Sequence, residues 1–564
     1  MPKTATGRQR RRQRQLIVDT ILIGVAGALA AQLFVYLLKL VSGVFLQWFA
    51  GYQAPGVASE GGPAQQTIGP HGMWLVPIAT TVGGLIVGIM VQWLAPETEG
   101  HGTDTVVRSF HRNAGRLRAR VPAVKMAASA LTIGSGGAAG REGPIALITA
   151  GVASWYASVT NRSDRDRRLL LLIGMAAGLS AIFRSPVGTA IFAIEVLYSD
   201  MEFEAGTLLY TMLGSVVAYA VNGLFVGWQP LFHVPANIPQ PGFTDFGWYL
   251  LLGIAAGVLG TLLPIVFYGI RDLFRALPVP KFTKPAIGGL IVGLMGVAYP
   301  QVLGGGYGWM QHAIDGRIAL ATLAVLVFGK MIALALSVSS GGSGGVFAPS
   351  LFVGAMLGAL FAAAFHQPTA AFAVVGMAAV FAGAAHVPIA TLMMVTEMTG
   401  GYSLLVPAAL AVMISYLVQT RLSSGWRRYT SLYEAQVTTR ADSPAHHSDH
   451  LRIALQILKQ HEAPDLRDAG ELDLVGLLAS GLPVELPDHR RLTIGVLRKD
   501  SPYVGKDVGK DAGRLDADTT IIAIIRGEHM VVPRADTKLE VGDRMMLVTT
   551  DEGLKRLQPH IDKW

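Results

Sequence analysis

The chain has 564 residues, of which 51% are hydrophobic and only 15% charged, against roughly 25% charged in an ordinary soluble domain. That balance describes a membrane protein with a soluble appendage, and the lack of cysteine excludes disulfides, thiol catalysis and cysteine-ligated metal. A net charge of +8 invites nucleic acid, but the basic residues gather beside apolar spans, first at Arg8, Arg10, Arg11, Arg12 and Arg14, then at Arg162, Arg165, Arg167 and Arg168. The positive-inside rule reads such clusters as cytoplasmic and sets a nucleic-acid partner aside.

Residues 1–15 are read as a basic cytoplasmic N-terminus. No small-residue cleavage site follows a short apolar core, so the first apolar segment is predicted to be a retained helix rather than a signal peptide. Apolar segments then succeed one another as far as Leu422. The first, residues 16–49, far exceeds the ~20 residues that cross a bilayer and predicts strong tilt. Those at 121–133, 144–159, 169–183 and 187–198 are too short to cross alone. Short segments interrupted by glycine and proline predict broken helices that meet near the midplane around a substrate site.

Between the first two of these lies Gly140-Arg141-Glu142-Gly143-Pro144. A carboxylate at that depth is costly and marks an ion or proton pathway; the alternative is a glutamate capping its own helix at an aqueous rim. The glycines at 134, 136, 137 and 140 leave backbone amides uncovered, and Pro144 is expected at the first helical position. Helix-start N–H groups attract an anion, and a tethered glutamate can occupy the same place. The layout recurs in residues 331–338, the run Gly341-Gly342-Ser343-Gly344-Gly345, and Val346-Phe347-Ala348-Pro349. Residues 388–395 followed by Glu397 also parallel residues 186–193 followed by Glu195. The chain is therefore predicted to hold an internal repeat whose halves aim helix N-termini at one place.

Past Arg421 the character changes. Residues 438–488 read as a polar linker with one short amphipathic helix at 451–458. His446, His447 and His450 in that linker have no acidic or cysteine partner at ligand spacing and read as solvated. Residues 489–564 read as a compact α+β module with strands at 492–496, 521–526, 530–532 and 544–548. So small a module is expected to dimerise.

Gly140-Arg141-Glu142-Gly143-Pro144, Gly345-Val346-Phe347-Ala348-Pro349, Lys125 ahead of the first glycine run, and Thr396-Glu397-Met398-Thr399-Gly400 resemble the CLC chloride channel and transporter family in order and spacing. The resemblance implies an all-α polytopic membrane domain over residues 16–437, with two inverted repeats and broken helices. It further implies a homodimer in a bacterial inner membrane, both termini cytoplasmic, one pathway per subunit, chloride as the bound ion, and no cofactor. By the same resemblance Glu142 is the gate. Anion contacts come from Gly102, Thr103, Arg141, Gly143, the backbone N–H groups of Val346 and Phe347, and the inner-gate hydroxyl of Tyr433, with Tyr429 one helical turn before it.

Two departures from the family pattern stand out. Gly100-His101-Gly102-Thr103-Asp104 replaces the commoner Gly-Ser-Gly-Ile-Pro. Either the His101 imidazole donates an N–H to the anion, or it turns aside and leaves the ion to the amides of Gly102 and Thr103. Val196 aligns where proton-coupled exchangers usually carry a second glutamate. Valine cannot relay a proton, so the reading is a passive chloride channel gated by a glutamate. A proton-coupled chloride exchanger is the alternative, and a ligand-sensing membrane protein the third reading.

The module at 489–564 resembles the C-terminal domain of regulators of potassium conductance, through Ser501-Pro502-Tyr503-Val504-Gly505-Lys506, Ile524-Ile525-Arg526-Gly527 and Gly542-Asp543. This implies a dimerisation module and, between subunits, a nucleotide such as cyclic di-AMP or an adenine nucleotide. Arg526 would meet the phosphate, with Ile524, Val532 and Pro533 near the bases; a purely structural module is the alternative. With no nucleophile–base pair, phosphate loop or metal cluster, an enzyme is not expected.

Overall fold

The computed structural model describes residues 3–235, 238, 241–424, 429–440, 443–445, 484–485, 490–508, 519–526, 529–531, 533 and 536–563. They divide into two units, Met1–Gln436 and Val437–Trp564. The predicted linker helix at 451–458 and the three linker histidines lie outside the described residues, as do Val532 and Gly527.

The first unit is helical: α1 (Lys3–Ser42), α2 (Val76–Leu94), α3 (Thr103–Arg112), α4 (Val121–Gly134), α5 (Glu142–Val159), α6 (Asp164–Phe183), α7 (Pro186–Glu195), α8 (Leu208–Val226), α9 (Asp245–Ala276), α10 (Lys284–Ala298), α11 (Tyr307–Ile314), α12 (Leu320–Val338), α13 (Phe347–Phe365), α14 (Thr369–Ala385), α15 (Pro388–Thr399) and α16 (Leu405–Ser423). Among the described residues, eight helices are long and apolar enough to cross a membrane. The first predicted span proves longer still: α1 runs on into a π-helical stretch, Gly43–Phe49. Of the short apolar segments, those at 121–133, 144–159 and 187–198 correspond to α4, α5 and α7, whereas that at 169–183 belongs to the 20-residue α6, whose first turn is charged and so falls outside the apolar run.

Burial separates the helices into two kinds. Helices α5, α6, α13 and α14 are buried on nearly every face, which explains why their sequences show no polar stripe. Long outer helices instead expose leucines and valines such as Leu209, Leu224 and Val406, a surface suited to lipid rather than water.

The internal repeat takes a specific chemical form. Both α7 and α15 open on a proline, at Pro186 and Pro388, and each leaves its next two N–H groups without a partner in its own helix. The Glu397 carboxylate at the far end of α15 accepts from Val187 N at 3.2 Å and Gly188 N at 2.8 Å, and from the Ser185 hydroxyl at 2.6 Å. The Glu195 carboxylate at the far end of α7 accepts from Ile389 N at 3.1 Å and Ala390 N at 2.7 Å. The end of each helix thus caps the start of the other, so the two lie antiparallel, as an inverted repeat requires. Two fully buried lysines repeat the pattern. Lys125 Nζ donates to the carbonyls of Thr98 and Gly100, at 3.0 and 2.7 Å; Lys330 Nζ donates to Val302, Leu303 and Gly304, at 2.8, 3.3 and 2.7 Å. Each ammonium gathers the carbonyls of a glycine loop that precedes a helix start.

The second unit holds an antiparallel sheet. Its strands are β3 (Val484–Glu485), β4 (Arg491–Leu497), β5 (Thr520–Arg526), β6 (His529–Val531), β7 (Arg544–Thr549) and β8 (Ile561–Lys563), with β1 (Tyr52–Gln53) and β2 (Thr67–Ile68) forming a separate hairpin in the first unit. The order is β3-β4-β7-β5-β6, with β8 also on β4. Leu497, Ile524, Leu539, Met545, Leu547 and Leu557 form its core.

Candidate anion site

Three glycine loops meet where α3, α5 and α13 begin. Gly140 N donates to Gly345 O at 2.8 Å and Gly345 N returns the bond to Gly140 O at 2.6 Å, which ties the starts of α5 and α13 together. Gly100 N donates to Gly342 O at 2.9 Å, and Gly344 N to Gly100 O at 3.2 Å, which brings in α3. The approach is too close for side chains: a Cβ on Gly143 would lie 2.0 Å from the His101 carbonyl oxygen. Gly102, at φ +92, adopts a backbone that L-residues rarely take.

The convergence leaves a small cavity lined by Thr103, Glu142, Gly143, Val346, Phe347 and Tyr433, with apolar walls from Leu179, Phe183, Phe192 and Met394. First-turn residues of three helices belong to its wall, so the cavity has the positive end of three helix dipoles and no lysine, arginine or histidine on its lining. That arrangement replaces part of an anion's hydration shell without trapping it against a full positive charge.

Glu142 is 1% exposed, and its carboxylate already occupies one such place. Its Oε2 accepts from Ala348 N in the first turn of α13, at 3.4 Å, and its Oε1 accepts from the Tyr307 hydroxyl at the start of α11. Pro144 and Pro349 stand at the third helical position, not the first as expected for Pro144, because α5 begins at Glu142 and α13 at Phe347. Either position is tolerated, since a first-turn N–H has no intrahelical partner to lose.

Tyr433 lines the same cavity as Glu142 and Thr103. Its backbone is fixed on both sides: Leu432 N donates to Ala384 O at 2.9 Å, Leu432 O accepts from the Tyr268 hydroxyl at 2.8 Å, and Ala435 N donates to Asp104 Oδ1 at 3.1 Å. Tyr429 is committed elsewhere, stacked on Tyr268 and donating to Asp272 Oδ2 at 2.8 Å.

Other expected contacts lie outside the lining. Arg141 reaches away to a bidentate ion pair with Glu60, at 3.1 and 2.5 Å, and sits 4.6 Å over the Tyr307 ring. His101 lies behind Tyr433, with ring centroids 5.4 Å apart, and its Nε2 is 3.1 Å from Asp104 Oδ2. Gly102 borders the cavity without lining it, and Val196, the C-cap of α7, is wholly buried away from it. Sequence reasoning missed the four apolar wall residues, Glu60 and Tyr307. The run Gly304-Gly305-Gly306 ahead of Tyr307 was the available signal for the last.

In the second unit, Arg526 is fully engaged. Its Nε and Nη2 donate to the two Asp543 oxygens, both at 2.9 Å, its Nη1 to Glu540 Oε1 and its Nη2 to Lys538 O, both at 2.5 Å. Ile524 is fully buried and offers no surface to a base, contrary to expectation, because it belongs to the domain core with Leu497, Met545 and Leu547. Pro533 is half-buried.

A helical membrane unit whose broken helices converge on a carboxylate-plugged, amide-lined cavity defines an anion-transporting membrane protein. The chain belongs to the CLC family: the profile of the voltage gated chloride channel family matches residues 83–420, and that of the TrkA-C domain matches residues 493–562. A chloride channel protein of Ralstonia nicotianae described as ClcB-like is 32% identical over 413 residues, which cover 70% of this chain and 91% of the relative. The H(+)/Cl(-) exchange transporter ClcA of Cronobacter sakazakii is 29% identical over 360 residues, 61% of this chain and 77% of the relative. Among solved structures, a CLC-type fluoride/proton antiporter aligns at a TM-score of 0.63 and 21% identity, covering 76% of this chain and 98% of the other, a likeness of fold.

Proposed function

We propose that the protein is a proton-coupled anion exchanger carrying chloride, built as a homodimer in a bacterial inner membrane with both termini cytoplasmic. The observation that carries this reading is Glu142: an ionisable group that is itself the plug of the pathway, held at the start of α13 where an anion would sit. When ionised it competes with chloride. When protonated it loses its attraction for the helix start and leaves, so its movement between the two states couples a proton to an anion. The burial of both Glu142 and Tyr433, which line the cavity together, supports stepwise exchange over an open conduit. The exchange activity named for the ClcA relative points the same way.

Val196 is the ground for the second reading, a passive chloride channel, because a valine there cannot relay protons. Its position away from the cavity weakens that ground, since other groups border the pathway. The deciding experiment is a chloride gradient across liposomes holding the purified protein. Exchange drives protons uphill; chloride movement with no proton movement at any pH establishes the channel. Glu142→Gln separates the steps further, with chloride still passing and proton movement lost.

For the C-terminal domain the reading is a structural, dimerising module. Arg526 is held by two carboxylates, which a nucleotide phosphate would have to displace. Saturable heat on titrating the full-length protein with cyclic di-AMP or ATP would reverse that reading.

A further inference from the structure

We propose that His101 and Asp104 form the proton-carrying pair on the Tyr433 side of the cavity, His101 as the carrier and Asp104 as its positioning residue; the inference rests on the exchange reading above. Asp104 stands in the first turn of α3 with both oxygens engaged, Oδ1 accepting from Ala435 N at 3.1 Å and Oδ2 lying 3.1 Å from His101 Nε2. A carboxylate is an acceptor only, so it fixes the proton of the neutral imidazole on Nε2 and leaves Nδ1 as a bare acceptor. That Nδ1 is buried and has no partner among the described residues. Folded proteins seldom leave such an atom unsatisfied without a use.

Position supports the role. The side chain of Asp104 is 16% exposed and that of His101 6%, so the carboxylate stands nearer solvent than the imidazole it holds. Tyr433, edge-on to the imidazole at 5.4 Å, lines the cavity that Glu142 also lines. Other ionisable groups nearby are committed: Lys125 to the carbonyls of Thr98 and Gly100, and Glu195 to the first turn of α15. The charged and titratable surroundings of the pair are Lys125 behind Gly100, Tyr433 in front, Tyr268 on α9, and Glu434, which is paired to Arg271 at 2.6 Å. Lys125 opposes an imidazolium and Asp104 favours it at shorter range.

The step moves one proton and nothing else. A proton arriving from water adds to Nδ1, and the resulting imidazolium keeps its Nε2–H on the Asp104 carboxylate, so the pair as a whole is neutral. The Nδ1 proton then passes, by way of water admitted beside Tyr433, to the Glu142 carboxylate, which becomes the neutral acid, while the imidazole returns to its first state.

The test measures protons moved per chloride in liposomes holding wild type, His101→Gln and Asp104→Asn, each between pH 5 and 8. Glutamine keeps a hydrogen-bonding group and cannot take up a second proton. The expected result is a proton-to-chloride ratio lowered about 100-fold or more in His101→Gln, the scale on which acid–base groups act. In Asp104→Asn the ratio falls in part and its pH profile shifts, a readout that a merely structural role would leave in place. If wild type couples protons and both variants couple them equally well, the pair is not the carrier and the exchange reading stands. If only Asp104→Asn is impaired, the imidazole assignment is likewise overturned. Should His101→Gln pass no chloride, the ratio and pH profile of Asp104→Asn decide. Wild type that moves chloride with no protons overturns the exchange reading, and this proposal with it.

Discussion

Removing one oxygen atom, by Tyr307→Phe, isolates what holds the Glu142 plug in place. The Tyr307 hydroxyl donates to Glu142 Oε1, while Ala348 N donates to the other carboxylate oxygen at 3.4 Å. A hydrogen bond to a charged group contributes about 1.5–3 kcal/mol. Since 1.4 kcal/mol is a factor of ten, its loss lowers occupancy of the plugged position relative to the anion-bound one by about 10- to 100-fold. The phenylalanine ring keeps its place between Phe232 and the Arg141 guanidinium, so the change acts on the carboxylate and not on the loop. The assay pairs calorimetric titration of chloride into the purified protein with chloride efflux from liposomes at pH 7.5 and pH 4.5. Chloride affinity should rise toward the range given at the higher pH, where the carboxylate is charged. The effect should fade at the lower pH, where protonation already loosens the plug. Unchanged or weakened chloride binding at pH 7.5 would show that the hydroxyl serves the anion or the scaffold and does not hold the gate.

Gly143→Ala places a Cβ 2.0 Å from the His101 carbonyl, and overpacking of this kind costs about 1–3 kcal/mol, so the variant should melt several degrees below wild type and lose anion flux; an unaltered melting curve would mean that the loops separate freely. Glu195→Gln and Glu397→Gln each strip a charged cap from two helix-start N–H groups in equivalent places, so they should lower the melting temperature to a similar extent, each by about 2–4 kcal/mol in stability. A large inequality between them would count against the reciprocal arrangement. In the second unit, Arg526→Ala leaves the buried Asp543 carboxylate unpaired, at a cost of about 3 kcal/mol, which should lower hydrogen-exchange protection in β5 and β7 by about two orders of magnitude. Unchanged protection would place Arg526 outside the domain's stability and return it to candidacy for a ligand.

The parts of the site legible in the sequence were those that break a local rule. Glu142 is a carboxylate inside apolar sequence, and the glycine runs before α5 and α13 are too dense for ordinary helix ends. Their repetition in both halves pointed to convergence. The apolar wall could not be read in that way, because Leu179, Phe183, Phe192 and Met394 are ordinary residues in an apolar chain. Nor could the partnerships that set the roles of Arg141 and Arg526. The glutamate that engages Arg141 lies 81 residues away, and only the packed hairpin β1-β2 and its neighbouring loops bring it close. The parallel between Glu195 and Glu397 was visible as a pattern, yet its chemistry was not, since each carboxylate acts on a helix about two hundred residues distant in the chain. Strand positions in the second unit were read closely, because short apolar runs rich in isoleucine and valine, bounded by turn signals, are too short for helices.

The exchange of caps between α7 and α15 bears on how such a molecule is born. Neither half can finish its own short helix, for the carboxylate that completes α7 is carried by the second half and the one that completes α15 by the first. A half expressed alone would leave helix-start N–H groups bare inside a membrane, where each orphan is costly. Two halves made as separate polypeptides, cut in the stretch between α8 and α9, should therefore be individually unstable and rescue one another when made together. Such mutual dependence is what an ancestral pair of identical, oppositely inserted chains would leave behind once fused into a single gene.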